Sequence, residues 1–350
     1  MFFILKKTGS IILVIIGTII GAGFASGKEI DLFFFQYQKD GIYGLILSAL
    51  ILAAIIYMTF NLVGKMKIKN YEEFLKQICQ KKEKTNKVLF YSIQLIIRIF
   101  LLISFYIMIA GFGAFFEQEL GINKTIGIGI ISLLCFYCFK KRTNGLVKVN
   151  VYLVPILILF IFYLGFQNTY NHTNVTFNNE YIRKNWILSA IIYSSYNSII
   201  LIPILITLGK RKMKNIQNII ISTSCFILIF LLGKTIYFLL FNLDNIQTLE
   251  IPTVIVASYI KPIYKYLFGI AVLISIFTSC VSCGYAFLED FEGKKYKIKT
   301  IIICISAMVV SQVGFSNLVN LLYPTFGMLG LIQILLISTF AFSKRKLKIF

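Results

Sequence analysis

The residues with the densest chemical content lie in one run, Gly17-Thr18-Ile19-Ile20-Gly21-Ala22-Gly23-Phe24-Ala25-Ser26-Gly27-Lys28-Glu29. Four of them are glycines, inside an otherwise apolar stretch, and glycine is the poorest helix former after proline. Ser26 and Glu29 have the spacing of a capping box, in which the hydroxyl accepts from the amide three residues on and the carboxylate reaches back. The run therefore predicts that one helix stops and another starts at membrane depth. Backbone freed in hydrocarbon survives only where protein or a wet cavity satisfies it, so the break implies a binding site. Two plainer readings compete. One is a small-residue face for close helix packing. The other is a signal peptide, with Lys6 and Lys7, a short apolar core and Gly23-Phe24-Ala25 as cleavage site; the many apolar segments that follow weigh against it.

A second constellation is Tyr193-Ser194-Ser195-Tyr196-Asn197-Ser198, followed by Pro203. Consecutive polar groups at bilayer depth are costly unless they face protein or water. Proline removes a helical hydrogen bond and clashes with the preceding turn. This segment is predicted to be a second interrupted helix. Three charges, Lys28, Arg98 and Lys234, sit at apparent membrane depth, where a charge is a functional hypothesis by default. Arg98 and Lys234 are also within snorkelling reach of a helix end. Lys28 has three readings: a substitute for a coupling ion, a partner of Glu29 or Asp31, or a vestibule residue. Cys135/Cys138 and Cys280/Cys283 are spaced C-x-x-C, but in apolar segments without histidines, and read as small packing residues. His172 lies in a polar loop and is a poor catalytic candidate.

The elements that must position these residues are membrane helices. The chain has 350 residues, 58% hydrophobic and 14% charged, with a mean hydropathy of +0.83. A span needs roughly 20 apolar residues. Ten stretches qualify: 9–37, 41–64, 88–116, 123–140, 146–166, 186–208, 217–241, 262–288, 299–315 and 317–341. The predicted fold class is an all-α polytopic membrane protein of one domain. Its ten transmembrane helices form a five-plus-five inverted repeat, about 9–166 and 186–341, with helices one and six discontinuous. An odd number of helices per half forces the halves into opposite orientation. Paired interrupted segments at matching places in two halves point to a transporter's binding site. Between spans two and three, residues 70–80 have an N-cap candidate in Asn70 and apolar residues at 71, 74, 75 and 78, which predicts an amphipathic helix on the inner surface. The segment 167–185 is rich in Asn and Thr and reads as a polar outer loop with two short glycosylation-type triplets.

The formal charge of +21 might suggest nucleic acid. Its placement argues otherwise. With the N-terminus inside, 26 Lys and Arg fall in inner connections and 6 in outer ones, the bias that fixes orientation. Both termini are therefore expected in the cytoplasm of a multi-pass cell-membrane protein. The basic residues are topology signals facing the lipid bilayer, with no nucleic acid partner.

The first-helix run, together with Tyr193-x-x-Tyr196-Asn197, resembles the YkvI-type membrane proteins of bacteria, in the amino acid–polyamine–organocation superfamily, which has the LeuT-type fold. The resemblance covers the whole chain. One departure is Lys28, where the family's pattern carries glutamine. The resemblance implies a solute held between helices one and six. The solute carboxylate would meet free amides of the first break, here Gly21, Ala22, Gly23 and Phe24. Its amine would meet Tyr193, Ser194 and Asn197. Helix three would contribute an aromatic lid, Phe105 or Tyr106. A sodium site in that fold would use the carbonyls of Gly17 and Ile20 with hydroxyls of helix eight, here Ser275, Thr278, Ser279 and Ser282. Half-helix ends attract ions in this sense, and hard cations prefer oxygen. Serines and threonines in membrane helices also serve simply to bond helix to helix.

These readings imply secondary transport of a small organic solute, an amino acid or related amine, in symport with sodium or protons by alternating access. The alternative is a solute sensor on the same fold, resembling germinant receptor subunits, without net transport. No G-x-x-x-x-G-K-[ST] motif is present, so ATP is not expected to drive it directly. No catalytic constellation supports an enzyme, and no cofactor is expected unless sodium is the coupling ion.

Overall fold

A computed structural model of the chain describes residues 2–66, 68, 70–81, 84–141, 146–171, 185–209, 215–243, 246–289 and 291–346. The expected outer loop, with His172 and both triplets, falls mostly on 172–184, outside the described residues, as do parts of the basic connections.

The first span is in three pieces: α1 (Phe2–Ile19), α2 (Ala22–Ala25) and α3 (Lys28–Phe33). The helical ladder runs to Ile20 N–H on Ile16 O (2.7 Å) and resumes with Ala25 N–H on Gly21 O (3.0 Å). Between α2 and α3, Gly27 takes φ +82°, a left-handed conformation that costs glycine little. A Cβ there would also stand 2.8 Å from Thr253 Cγ2. The expected capping box does not form. The N-cap of α3 is Gly27, one residue later than the motif requires, so Ser26 and Glu29 are out of register for mutual capping. Ser26 Oγ instead donates to Gly23 O (2.8 Å) and accepts from Lys28 N–H (3.3 Å).

After a single 3-10 turn (Phe35–Tyr37) come α4 (Lys39–Met66), the short α5 (Tyr71–Ile78) and a pair of two-residue antiparallel strands, Gln80–Lys81 with Lys84–Thr85. Asn70 caps α5, accepting from Glu73 N–H at 2.8 Å. The apolar face of α5 does not lie free. Phe74, Leu75 and Ile78 pack with Ile202, Ile206 and Ile337, and Gln333 Nε2 donates to Tyr71 Oη (2.8 Å).

The remaining helices are α6 (Lys87–Leu120), α7 (Lys124–Lys141), α8 (Leu146–Asn171), α9 (Trp186–Gly209), α10 (Asn215–Leu240), α11 (Pro252–Ile260), α12 (Pro262–Leu288), α13 (Gly293–Val310) and α14 (Phe315–Lys346). Among the described residues, seven helices are long and apolar enough to cross a membrane, and Thr8–Ile19 and Leu153–Gln167 are shorter apolar helices.

The sixth span corrects the sequence expectation: α9 is one continuous helix through both the polar run and Pro203. The three serines of the run, Tyr196 and Asn197 find hydrogen-bond partners without a break, while the buried Tyr193 hydroxyl has none among the described residues. Ser194 Oγ donates to Ala190 O (2.8 Å), Asn197 Nδ2 to Tyr193 O (3.0 Å) and Ser198 Oγ to Ser195 O (2.7 Å), all within the helix. Ser195 Oγ donates across to Gly327 O on α14 (2.6 Å). Such back-bonding competes with, but need not interrupt, the ladder.

Two packed groups result. α1, α4, α9 and α10 contact one another, and so do α6, α7, α12 and α13; α8 and α14 each touch both groups. The break in the first span lies between the groups, which is what positions the site.

Candidate functional site

The lapse in the ladder leaves the carbonyls of residues 17–20 and the amides of residues 21–24 without intrahelical partners, as at any helix end. Of these residues Gly17, Thr18, Ile19, Gly21, Ala22 and Gly23 border a cavity of about 500 Å³ between α1, α9 and α12. Its wall includes Gly17, Gly21, Ala22 and Gly23 from the break, Glu29 from α3, Tyr196 and Asn197 from α9, Ser279 and Ser282 from α12, and Tyr323 from α14. It continues past Leu13 on α1 and Thr207 and Leu208 on α9, toward the end of the bundle that holds the start of α1 and the end of α9. The opposite direction is closed. Residues 22–34 are all buried. Tyr193 sits edge-on to Phe33 and Phe34, with ring centroids 5.4 and 4.8 Å apart. Beyond them the segment leading into α11 is laced to the first span: Thr253 Oγ1 donates to Ala25 O (2.7 Å) and Thr253 N–H to Ser26 O (3.1 Å). The same segment is held to α6 by Gln118 Oε1, which accepts from Glu250 N–H at 2.7 Å.

The structure sorts the sequence candidates. Gly17, Gly21, Ala22, Gly23, Glu29, Asn197, Ser279 and Ser282 line the cavity; Phe24 is buried behind it. Tyr193 is buried outside the wall, and Ser194 bonds the carbonyls of Ala190 and Ser48 (3.2 Å), which ties α9 to α4. The expected helix-three lid is not there. Tyr106 points to α13, with its hydroxyl 2.8 Å from Ser306 Oγ, and Phe105 packs on Phe139. Phe100, Ser104 and Met108 face the cavity instead. They share one helical face at spacings of four, and Tyr106 falls on another.

Of the helix-eight hydroxyls, only Ser279 and Ser282 reach the wall. Ser279 Oγ is 4.0 Å from where a Gly21 Cβ would stand. Thr278 Oγ1 is engaged with Ser275 O (3.1 Å), and Ser282 Oγ donates to Thr278 O (2.7 Å). Ser275 and Thr278 are buried and do not line the cavity. Ile20 is buried and also outside the wall, while Gly17 is part of it.

Lys28, 1% exposed, pairs with Asp31 rather than Glu29: Nζ lies 3.4 Å from Asp31 Oδ2 and donates to Leu249 O at 3.0 Å. It fastens α3 to the segment before α11. Arg98 and Lys234 lie on exposed faces of α6 and α10, away from the cavity; Lys234 sits over the Phe238 ring at 5.9 Å.

Tyr196 and Tyr323 join Phe100, Ser104 and Met108 as wall residues that the sequence does not assign to the site. Tyr196 donates its hydroxyl hydrogen bond to Glu29 Oε2. Its ring stacks on Phe33 at 5.5 Å and on Tyr323 at 4.7 Å. The Tyr-x-x-Tyr-Asn spacing was the available signal, since it places Tyr193 and Asn197 on one face and Tyr196 a residue aside. Away from the cavity, the first cysteines of the two C-x-x-C pairs meet, with Cys135 Sγ 3.5 Å from Cys280 Sγ. Among the described residues no group of three or more His, Cys, Asp or Glu is placed to hold a metal ion.

No family model matches the chain. Two proteins of Bacillus subtilis strain 168 are similar to it. The uncharacterised membrane protein YkvI is 26% identical over 335 residues, 91% of each chain. The uncharacterised protein YyaD is 26% identical over 328 residues, 91% of this chain and 92% of that one. Solved structures are similar in fold. Mhp1 in an inward-facing conformation superposes with a TM-score of 0.64 at 12% identity, over 95% of this chain and 76% of Mhp1. A variant of the Eremococcus coleocola manganese transporter gives 0.61 at 13%, over 94% and 77%. MhsT in complex with L-phenylalanine gives 0.57 at 15%, over 95% and 88%. None of these proteins is named as an enzyme. The chain is a multi-pass membrane protein with the LeuT-type fold of Mhp1 and MhsT.

Proposed function

We propose that the chain is a secondary transporter of a small organic solute, an amino acid or related amine, moved by alternating access and coupled to sodium or protons. The observation that carries this reading is the cavity at the interrupted first span, which extends toward one end of the bundle only. A site between two packed groups of helices, continued on one side and closed by buried aromatic rings on the other, is what alternating access requires. We further propose ten spans in two inverted halves, counting α1 to α3 as one span and including α7. Both termini lie in the cytoplasm, following the 26-to-6 split of basic residues. In that orientation the cavity faces inward and the α11 side outward.

The wall supports this solute class. Amides of the break without intrahelical partners suit an anionic group, and Glu29, the aromatic rings and Asn197 suit an ammonium. MhsT was solved with L-phenylalanine, a solute with both groups. The manganese transporter shares the fold, but among the described residues no group of three or more His, Cys, Asp or Glu is placed to hold a metal ion, which favours an organic solute. For sodium, the oxygens on offer at the break are neutral: carbonyls of residues 17–19 on one side of the gap and the Ser279 hydroxyl on the other. They fit a hard monovalent cation in kind, with Thr278 and Ser275 outside the set. A thermal-shift screen of amino acids and amines, with and without sodium, tests the reading. A ligand of the folded state raises its stability by mass action. Silence across the screen would tell against a solute site.

A further inference from the structure

Glu29 stands apart from the other well-buried acids. Asp31 meets Lys28 at 3.4 Å, and Glu119 meets Lys265 at 3.1 Å. Glu29 is 4% exposed, lies in the cavity wall, and among the described residues forms no ion pair. Its side-chain partner is the Tyr196 hydroxyl. The wall contains no lysine, arginine or histidine among the described residues. A carboxylate withdrawn from water without a counter-charge costs several kcal/mol, and such a group holds a proton instead. Around it stand the stacked rings of Phe33, Tyr196 and Tyr323, whose faces attract cations. Asn197, with Nδ2 engaged by Tyr193 O, leaves its Oδ1 as an acceptor.

We propose that Glu29 is the counter-ion for the ammonium group of the solute, and that the same carboxyl carries a proton when the solute is away. Binding then replaces one cation by another. The carboxylic O–H gives its proton to water as the N–H···O ion pair forms, and no bond of the solute breaks. Because ammonium and proton occupy one carboxylate in alternation, the coupled movement is exchange of one for the other, with the proton as coupling ion. This rests on the transporter reading for placing the solute in this cavity. The other titratable groups near Glu29 are Tyr193 and Tyr196 on α9, Tyr323 on α14 and Cys283 on α12. Phenols and thiols ordinarily titrate near 10 and 8.5, above the working range, and Lys28 is held by Asp31. One proton should therefore be linked to each solute bound.

The test uses the full chain in detergent and matched probes: butylamine, phenethylamine, leucine and phenylalanine, each beside its analogue without the ammonium group (butanol, ethylbenzene, 4-methylpentanoate and 3-phenylpropionate). Dissociation constants come from thermal shifts between about pH 6 and about pH 8. At least one ammonium-bearing probe should bind, about tenfold more tightly per pH unit while the carboxyl is protonated in the free state. Its partner without nitrogen should not bind. Glu29→Gln should weaken that binding at least about thirtyfold, as expected for removing one member of a buried charge pair, and abolish the pH dependence. A pH-indicator dye in weak buffer should register one proton released per probe bound to the wild type, which needs no variant to fold. Ammonium-bearing probes that bind without proton release, or analogues that bind as well as their amines, overturn the proposal and leave a solute site of other chemistry. Failure of every probe to bind overturns it and removes the transport site as well.

Discussion

Gly23→Ala separates a structural glycine from one required by the site. A Cβ at Gly23 would stand 2.9 Å from Glu29 Cδ and 3.0 Å from Cγ, with Oε1 nearer still. The backbone of α2 has no room to retreat, since Ala22, Phe24 and Ala25 are buried. The Glu29 carboxyl must therefore swing away and lose its hydrogen bond from Tyr196. Such a bond contributes about 1.5–3 kcal/mol to an ionised carboxylate and about 0.5–1.5 kcal/mol to a neutral carboxyl, so about 1–1.5 kcal/mol of it is gained on solute binding, or roughly 5–12-fold in affinity at 1.4 kcal/mol per factor of ten. Folding stability should change less, because alanine is the better helix former by about 1 kcal/mol, which offsets part of the displacement. The assay is solute affinity by thermal shift beside the ligand-free unfolding midpoint, in wild type, Gly23→Ala, Glu29→Ala and the double variant. In the Glu29→Ala background the added methyl meets a gap, so the second substitution should cost nothing further in affinity, and the two effects should be strongly non-additive. Additive losses, or unchanged affinity in Gly23→Ala, would refute the steric coupling between the break and Glu29.

Other variants probe the surroundings. Lys28→Met removes the cation from a buried ion pair, and should destabilise the protein by about 3–5 kcal/mol, with much of the loss recovered in Lys28→Met/Asp31→Asn; thermal unfolding in detergent reads this. Gly327→Ala would press a methyl to 2.6 Å from Ile192 O at the α9–α14 contact, and should destabilise by about 1–3 kcal/mol by overpacking, checked by the same midpoint. If sodium is bound at the break, Ser279→Ala should flatten the dependence of solute affinity on sodium while Thr278→Ala leaves it intact, because Ser279 reaches the wall and Thr278 does not. Equal responses in a sodium titration would move the ion elsewhere.

The parts of the site that could be read from sequence are those where backbone chemistry is encoded in residue type. The glycines between Gly17 and Gly27 announce a helix that cannot continue, and the ladder lapses there. Side-chain satisfaction is not encoded in that way. The polar run of α9 reads as a break only if its hydroxyls lack acceptors, and the acceptors are carbonyls of the same helix and of α14. Helix rotation is equally hidden: Tyr106 and Ser104 are two residues apart, so they occupy different faces, and nothing local says which face meets the cavity. The pairing of Lys28 with Asp31, not Glu29, depends on where Leu249 O arrives from distant sequence. Glu29 itself was read as a cap because its spacing from Ser26 fits one; the left-handed Gly27 shifts the helix start and frees the carboxyl for Tyr196.

Transport by way of this cavity is tested by counterflow in sealed proteoliposomes: vesicles loaded with an unlabelled solute that stabilises the protein are diluted into the same solute carrying a radiolabel. Label should accumulate transiently above its equilibrium level, an effect absent from protein-free vesicles and strongly reduced with Gly23→Val, in which a branched side chain fills the break. Saturable binding by the purified protein with no counterflow, under any ion gradient of sodium or protons, would contradict it and leave a solute sensor on a transporter's fold.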